Sequence, residues 1–305
     1  MTQLQKYLAE EVAEDMRDGI ISRREAMRRL GLLGLSATAA AALLAGFGGT
    51  AEAVAELAAE RRRTPSGGSR TTWAPIGTEP ITFAGPRSPL LAAWAPAPDP
   101  RGGVLVIHEN RGLTEHIRTV AGRLAASAYS ALALDLLSEE GGTAAFPGEA
   151  EVAVALAQIP PERFVADMKA AVTELRDRVP RKKLAAIGFC FGGSMVWHLL
   201  AAAEPRLAAA APFYGPFPEG GDLHGTRAAV LGVYGGQDAR VNATLPVAEA
   251  ALEAAQLRYE LLTFSEAGHA FFNDTGARYD PRASAEAWRR AIGWFDTAQR
   301  RPRDR

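Results

Sequence analysis

From residue 79 onward, short unbroken apolar runs alternate with longer stretches in which apolar residues recur every three or four positions. The runs lie at 81–84, 90–94, 104–108, 130–134, 184–189, 208–213, 229–234 and 259–264, and they predict strands. The periodic stretches at 114–127, 161–178, 192–203, 245–255 and 281–299 predict helices, with Thr114 and Asn242 as N-caps. Val104-Leu105-Val106-Ile107 shows no alternation, as a strand buried on both faces would not. The order predicts an α/β fold: a mostly parallel sheet of about eight strands with helices on both faces.

The N-terminal part follows another pattern. Leu4, Leu8, Val12 and Met16 recur every four residues and predict an amphipathic helix rich in acids, among them Glu10, Glu11, Glu14, Asp15 and Asp18. Arg23-Arg24 and Arg28-Arg29 then precede an apolar run from about Leu30 to Phe47, followed by Ala51-Glu52-Ala53, an A-x-A cleavage pattern. Residues 22–28 resemble a twin-arginine export motif, with Ala26 where that motif usually carries a bulky apolar residue. As one helix of about 18 residues the run would span about 27 Å, short of the roughly 30 Å hydrocarbon core. Residues 1–53 are therefore expected to be an export signal, with a mature periplasmic or extracellular protein starting near Val54. Membrane contact is expected only through this segment, if uncleaved. The alternative is a cytoplasmic protein whose N-terminal helices pack on the domain or on a second subunit. Residues 54–78, with Arg61-Arg62-Arg63 and Gly67-Gly68-Ser69, read as a linker. The folded domain is expected over 79–300 and a charged tail over 301–305.

Composition narrows the partners. The 34 basic and 35 acidic residues balance to a net charge of -1, which gives no footing for nucleic acid. The single cysteine excludes an internal disulfide and calls for another explanation.

That explanation is chemical. Gly188-Phe189-Cys190-Phe191-Gly192-Gly193 stands between a predicted strand and a predicted helix, the G-x-nucleophile-x-G pattern of a nucleophile elbow. Side chains two residues either side of Cys190 would collide in so tight a turn. The helix N-terminus favours thiolate, which an ordinary thiol with pKa about 8.5 scarcely forms at neutral pH. Asp238 follows the glycine turn after the run 229–234, and His269 follows the run 259–264. Nucleophile, acid, histidine is the chain order of α/β-hydrolases. His269 would exchange the thiol proton while Asp238 orients the ring. Glu109 ends the run 104–108, and the backbone amides of Asn110 and Phe191 stand where this fold draws its oxyanion hole. An ion pair of Glu109 with Arg111 or Arg118 is the plainer reading of that carboxylate. His108, His116, His198 and His224 lack metal-ligand spacing and read as structural or surface residues, so neither metal nor cofactor is expected.

The elbow, Glu109, Gly236-Gln237-Asp238 and Gly268-His269-Ala270-Phe271 together resemble the dienelactone hydrolase family over roughly residues 79–295. The resemblance implies a cysteine-dependent hydrolase of a small lactone or ester that forms and hydrolyses an acyl-thioester. It also implies a resting thiol held near Glu109 until substrate binds. The family grips a substrate carboxylate with arginines, one of them four residues after the histidine; here that position is Asn273, with Arg111 and Arg278 as candidate substitutes. An acyltransferase with the same elbow, or a catalytically silent binding protein of this fold, are the alternatives.

Overall fold

A computed structural model describes residues 1–47 and 75–299. The A-x-A site at 51–53, most of the expected linker and the 301–305 tail lie outside the described residues. The chain divides into two compact units: the described residues before 48 with Phe146–Ile159, and the rest.

In the first unit, α1 (Gln3–Arg17) opens on a capping box in which Thr2 and Gln5 satisfy each other's backbone amides. Leu4, Leu8 and Val12 of the predicted stripe are buried. The expected 18-residue apolar helix does not form. It is split into α2 (Arg23–Leu32) and α3 (Ala37–Gly46). Gly34 takes a φ of +89°, its amide donates to the Gly31 carbonyl and Leu35 donates to Leu30, a Schellman stop. Ser36 then caps α3 by accepting from the Ala39 amide. A helix stop and a helix start sit within three residues, inside a run whose hydropathy alone reads as continuous. Among the described residues no helix is long and apolar enough to cross a membrane. A helix not expected from the sequence, α5 (Glu149–Gln158), packs with α1 and α2, and Arg28 donates to Glu151 across 2.9 Å.

The second unit follows the predicted order closely. It contains β1 (Glu79–Phe83), β2 (Leu90–Ala95), β3 (Gly102–Ile107), α4 (Glu115–Ala126), β4 (Tyr129–Leu134), α6 (Pro161–Arg178), β5 (Lys183–Phe189) and α7 (Phe191–Ala201). Then come β6 (Leu207–Phe213), β7 (Ala229–Gly235), the short α8 (Ala239–Asn242), α9 (Leu245–Ala254), β8 (Tyr259–Phe264) and α10 (Pro281–Gln299). All eight predicted strands lie in one sheet of order β1-β2-β4-β3-β5-β6-β7-β8. β1 and β2 pair antiparallel and β2 pairs antiparallel with β4, while β4 through β8 run parallel. Every residue of β3, β4 and β7 is buried, as strands covered by helices on both faces must be. The two edge strands, β1 and β8, are open along most of their length.

Of the two N-cap expectations, only that for Asn242 needs correction. Thr114 occupies the N-cap of α4 without a side-chain capping bond. Asn242 caps nothing: it ends α8, and its Nδ2 donates to the Gly235 carbonyl at 2.8 Å. Thr244 precedes α9 instead, its hydroxyl accepting from the Phe217 amide and donating to the Val241 carbonyl.

Candidate active site

Sheet register brings the expected residues to one rim. Ile107 pairs with Gly188 across β3 and β5, so Glu109 and Cys190 each lie two residues beyond this matched pair. Phe189 pairs with Phe213 and Gly235 with Phe264, which puts Tyr214, Asp238 and His269 beyond carboxyl ends of the same parallel set.

The turn at Cys190 is as tight as the glycine spacing predicts. Cys190 has φ 56° and ψ -118°, a conformation that costs a side-chain-bearing residue about 1–3 kcal/mol. A Cβ on Gly188 would lie 2.2 Å from the Gly192 carbonyl oxygen, and one on Gly193 would lie 2.5 Å from that of Phe213. The Cys190 amide donates to the Phe213 carbonyl at 3.0 Å, tying the turn to β6. Cys190 is buried and occupies the N-cap of α7, where first-turn amides lack intrahelical acceptors and the dipole favours negative charge.

Asp238 and His269 meet because their loops interlock. A Cβ on Gly235 would stand 2.4 Å from the Gly268 carbonyl oxygen, and the Gln237 amide donates to the Ala267 carbonyl at 3.0 Å. His269 Nδ1 lies 2.5 Å from Asp238 Oδ2, with both residues buried. The carboxylate accepts, so Nδ1 carries the proton and Nε2 is the basic nitrogen. Asp238 Oδ1 accepts from the Val241 amide at 3.2 Å, so the acid also caps α8. A His269 ring nitrogen lies within 4.8 Å of the Cys190 sulfur. The Tyr214 ring packs edge-on against the imidazole at 5.2 Å.

Glu109 is buried, and among the described residues no ion pair joins it to Arg111 or Arg118. Its partner is Asn273, whose Nδ2 donates to Oε2 at 2.6 Å. The orientation of that amide is set by Thr275, whose backbone N–H and hydroxyl both donate to Asn273 Oδ1, at 3.0 and 2.6 Å. Glu109 Oε1 is buried without a hydrogen-bond partner among the described residues. The loop that carries Asn273 is anchored on α4: Asp274 accepts from His116 Nδ1 at 2.9 Å and from Arg123. The His116 bond, reinforced by Arg123, holds the Asp274 carboxyl well below the usual carboxylate range. Arg111 and Arg278 are half-buried on the loops after β3 and β8. The Asn110 amide makes no backbone hydrogen bond among the described residues, nor does that of Phe191, the first residue of α7.

Three contributors to this site carry no motif that marks them in the sequence. Tyr214 carried no motif, and only its position one residue past a strand end marked it. Asn273 was noted as a replaced arginine, whereas its contact with Glu109 depends on two loops 164 residues apart. His108, which lacks metal-ligand spacing, is fully buried directly before Glu109.

The model of the dienelactone hydrolase family matches residues 91–299. A carboxymethylenebutenolidase homologue of Yersinia pestis is 34% identical over 225 residues, 67% of this chain and 83% of its own length. A second, from Salmonella typhimurium, is 33% identical over 205 residues, 63% of this chain and 76% of that protein. The crystal structure of a dienelactone hydrolase homologue from Klebsiella pneumoniae superposes with a TM-score of 0.63 at 28% identity. It covers 72% of this chain and 98% of the other. With more than two-thirds of its length matched by the family model, the chain belongs to the dienelactone hydrolase family of α/β-hydrolases.

Proposed function

We propose that this enzyme hydrolyses a small lactone or ester through a thioester on Cys190. The observation that carries the reading is the line from Asp238 to His269 to Cys190: a 2.5 Å hydrogen bond, then a ring nitrogen within 4.8 Å of the sulfur. His269 Nε2 takes the thiol proton, and the thiolate adds to the substrate carbonyl carbon. The carbonyl oxygen becomes an oxyanion held by the amides of Asn110 and Phe191, each such donor contributing about 3 kcal/mol at the transition state. Collapse breaks the carbon–oxygen bond to the leaving alkoxide, which takes the proton from the His269 imidazolium. In a lactone that alkoxide stays tethered, and the ring opens to a hydroxyacyl thioester. Water, deprotonated by His269, adds to the thioester through a second oxyanion, and collapse releases the acid and restores the thiol. Glu109, steadied by Asn273, offers Oε1 as an acceptor for the resting thiol.

Replacing Cys190 by Ala is expected to abolish hydrolysis of an activated aryl ester while leaving the fold intact. His269→Ala loses most activity, and Asp238→Asn loses a large part by misorienting the ring. Wild-type turnover by Cys190→Ala would refute the assignment.

Export by the twin-arginine-like segment is part of the same proposal and rests on Arg23-Arg24 and the apolar run that follows.

A further inference from the structure

We infer that His108 is a positioning residue that sets the oxyanion hole by pinning the Glu109–Asn110 peptide. The inference rests on the reading of Asn110 and Phe191 as oxyanion donors. His108 is fully buried where β3 ends. Its Nε2 accepts from the Leu136 amide at 3.1 Å, beyond the end of β4, so this nitrogen carries no proton. The proton therefore sits on Nδ1, 2.6 Å from the Glu109 carbonyl oxygen, to which it donates. Burial keeps the ring well below histidine's usual range, so it stays neutral and this tautomer persists.

Peptide geometry passes that bond to the next residue. The peptides here are trans, so the carbonyl of Glu109 and the N–H of Asn110 point in opposite directions. Holding the oxygen toward the His108 ring turns the Asn110 N–H away from it. A flipped peptide would set the Asn110 N–H against the Nδ1 proton, donor facing donor, and would also lose the bond from the Gly112 amide at 3.1 Å. The second donor is tied to the same imidazole. The Phe191 ring lies 6.2 Å from that of His108 at 23°, and a Cβ on Gly192 would meet the Ile107 and His108 carbonyl oxygens at 2.4 and 2.5 Å. The start of α7 is thus seated on the backbone that His108 braces.

Two substitutions separate this role from simple packing. Asn at 108 keeps a donor at the Nδ1 position but loses the acceptor for Leu136; Gln keeps an acceptor near Nε2 but loses the donor. The measurements are kcat and KM for p-nitrophenyl acetate and the rate of Cys190 alkylation by iodoacetamide, a displacement that forms no oxyanion. His108→Gln should lose 10- to 100-fold in kcat, part of what deleting a whole donor costs. Its KM and alkylation rate should stay within about threefold of wild type. His108→Asn should keep kcat within about fivefold, and His108→Leu should behave like Gln; if Leu does not fold, the Asn and Gln pair decides. Equal kcat in the Asn and Gln variants, or alkylation falling in step with kcat, would overturn the inference. Alkylation of the wild type is the control for the reading beneath it. An enzyme still active after alkylation sinks the thiol mechanism, whereas a normally alkylated His108→Gln enzyme with full kcat sinks only the role of His108.

Discussion

At the residue scale, substrate charge is where this chain departs from its family's pattern. The side chain four residues after His269 is a neutral amide, and that amide already donates to Glu109. Thr275 holds the other end, so turning Asn273 toward a substrate carboxylate would break three hydrogen bonds. A charge-assisted contact is worth about 1.5–3 kcal/mol, roughly ten- to a hundredfold in selectivity. Without one from this position, a lactone acid and its methyl ester should show kcat/KM values within about tenfold of each other at moderate salt. A hundredfold preference for the acid would mean that Arg111 or Arg278 supplies the grip.

At the element scale, the helix α6 carries a buried acid whose ionisation opposes folding. Asp167 accepts from Arg87 at 2.9 Å, yet burial raises its pKa from an ordinary 3.8 to about 6, with the Arg87 charge opposing and nearby Glu139 adding to the rise. The folded protein thus holds this proton over the window from 3.8 to about 6 while the unfolded chain has released it. The stability from that proton is complete below the window and is lost as pH rises through it. At about 1.4 kcal/mol per pKa unit, the expected span is on the order of 2–3 kcal/mol. Asp167→Asn should therefore gain in Tm relative to wild type as pH is raised from 4 to 6.5, and the difference should level off above that. A difference that does not change with pH would show that Asp167 titrates normally.

At the scale of the whole molecule, the N-terminal segment has two possible fates. Export predicts a mature protein starting near Val54, found outside the cytoplasm, and a precursor trapped inside when Arg23 and Arg24 are replaced by Lys. Arg23 and Arg24 are exposed in the first turn of α2, whereas Arg28 and Arg29 both bond Glu25 and hold its carboxyl down to about 2. Lysines at 23 and 24 would therefore leave those ion pairs intact, and a change in location could be ascribed to the signal. N-terminal sequencing of native protein that begins near Met1 would overturn export and leave α1 to α3 as a permanent folded part.

Chain-local patterns determined a great deal of this protein. Eight strands and five helices were legible because burial in a parallel sheet demands unbroken apolar runs and a covering helix demands an apolar stripe. Cys190 was legible because a turn this tight tolerates only glycine at 188 and 192. Asp238 and His269 were legible because their order and places after strands are local facts. Two helix starts were misread at that level: Asn242 looks like a cap but faces back to Gly235, and Gly34 with Ser36 splits an apolar run that hydropathy joins. What only the tertiary structure decided is who touches whom across the rim. Glu109 is 164 residues from Asn273, and His108 is 28 from Leu136. Such pairs are made by the sheet register and the close approach of loops, and no periodicity in a single segment records them.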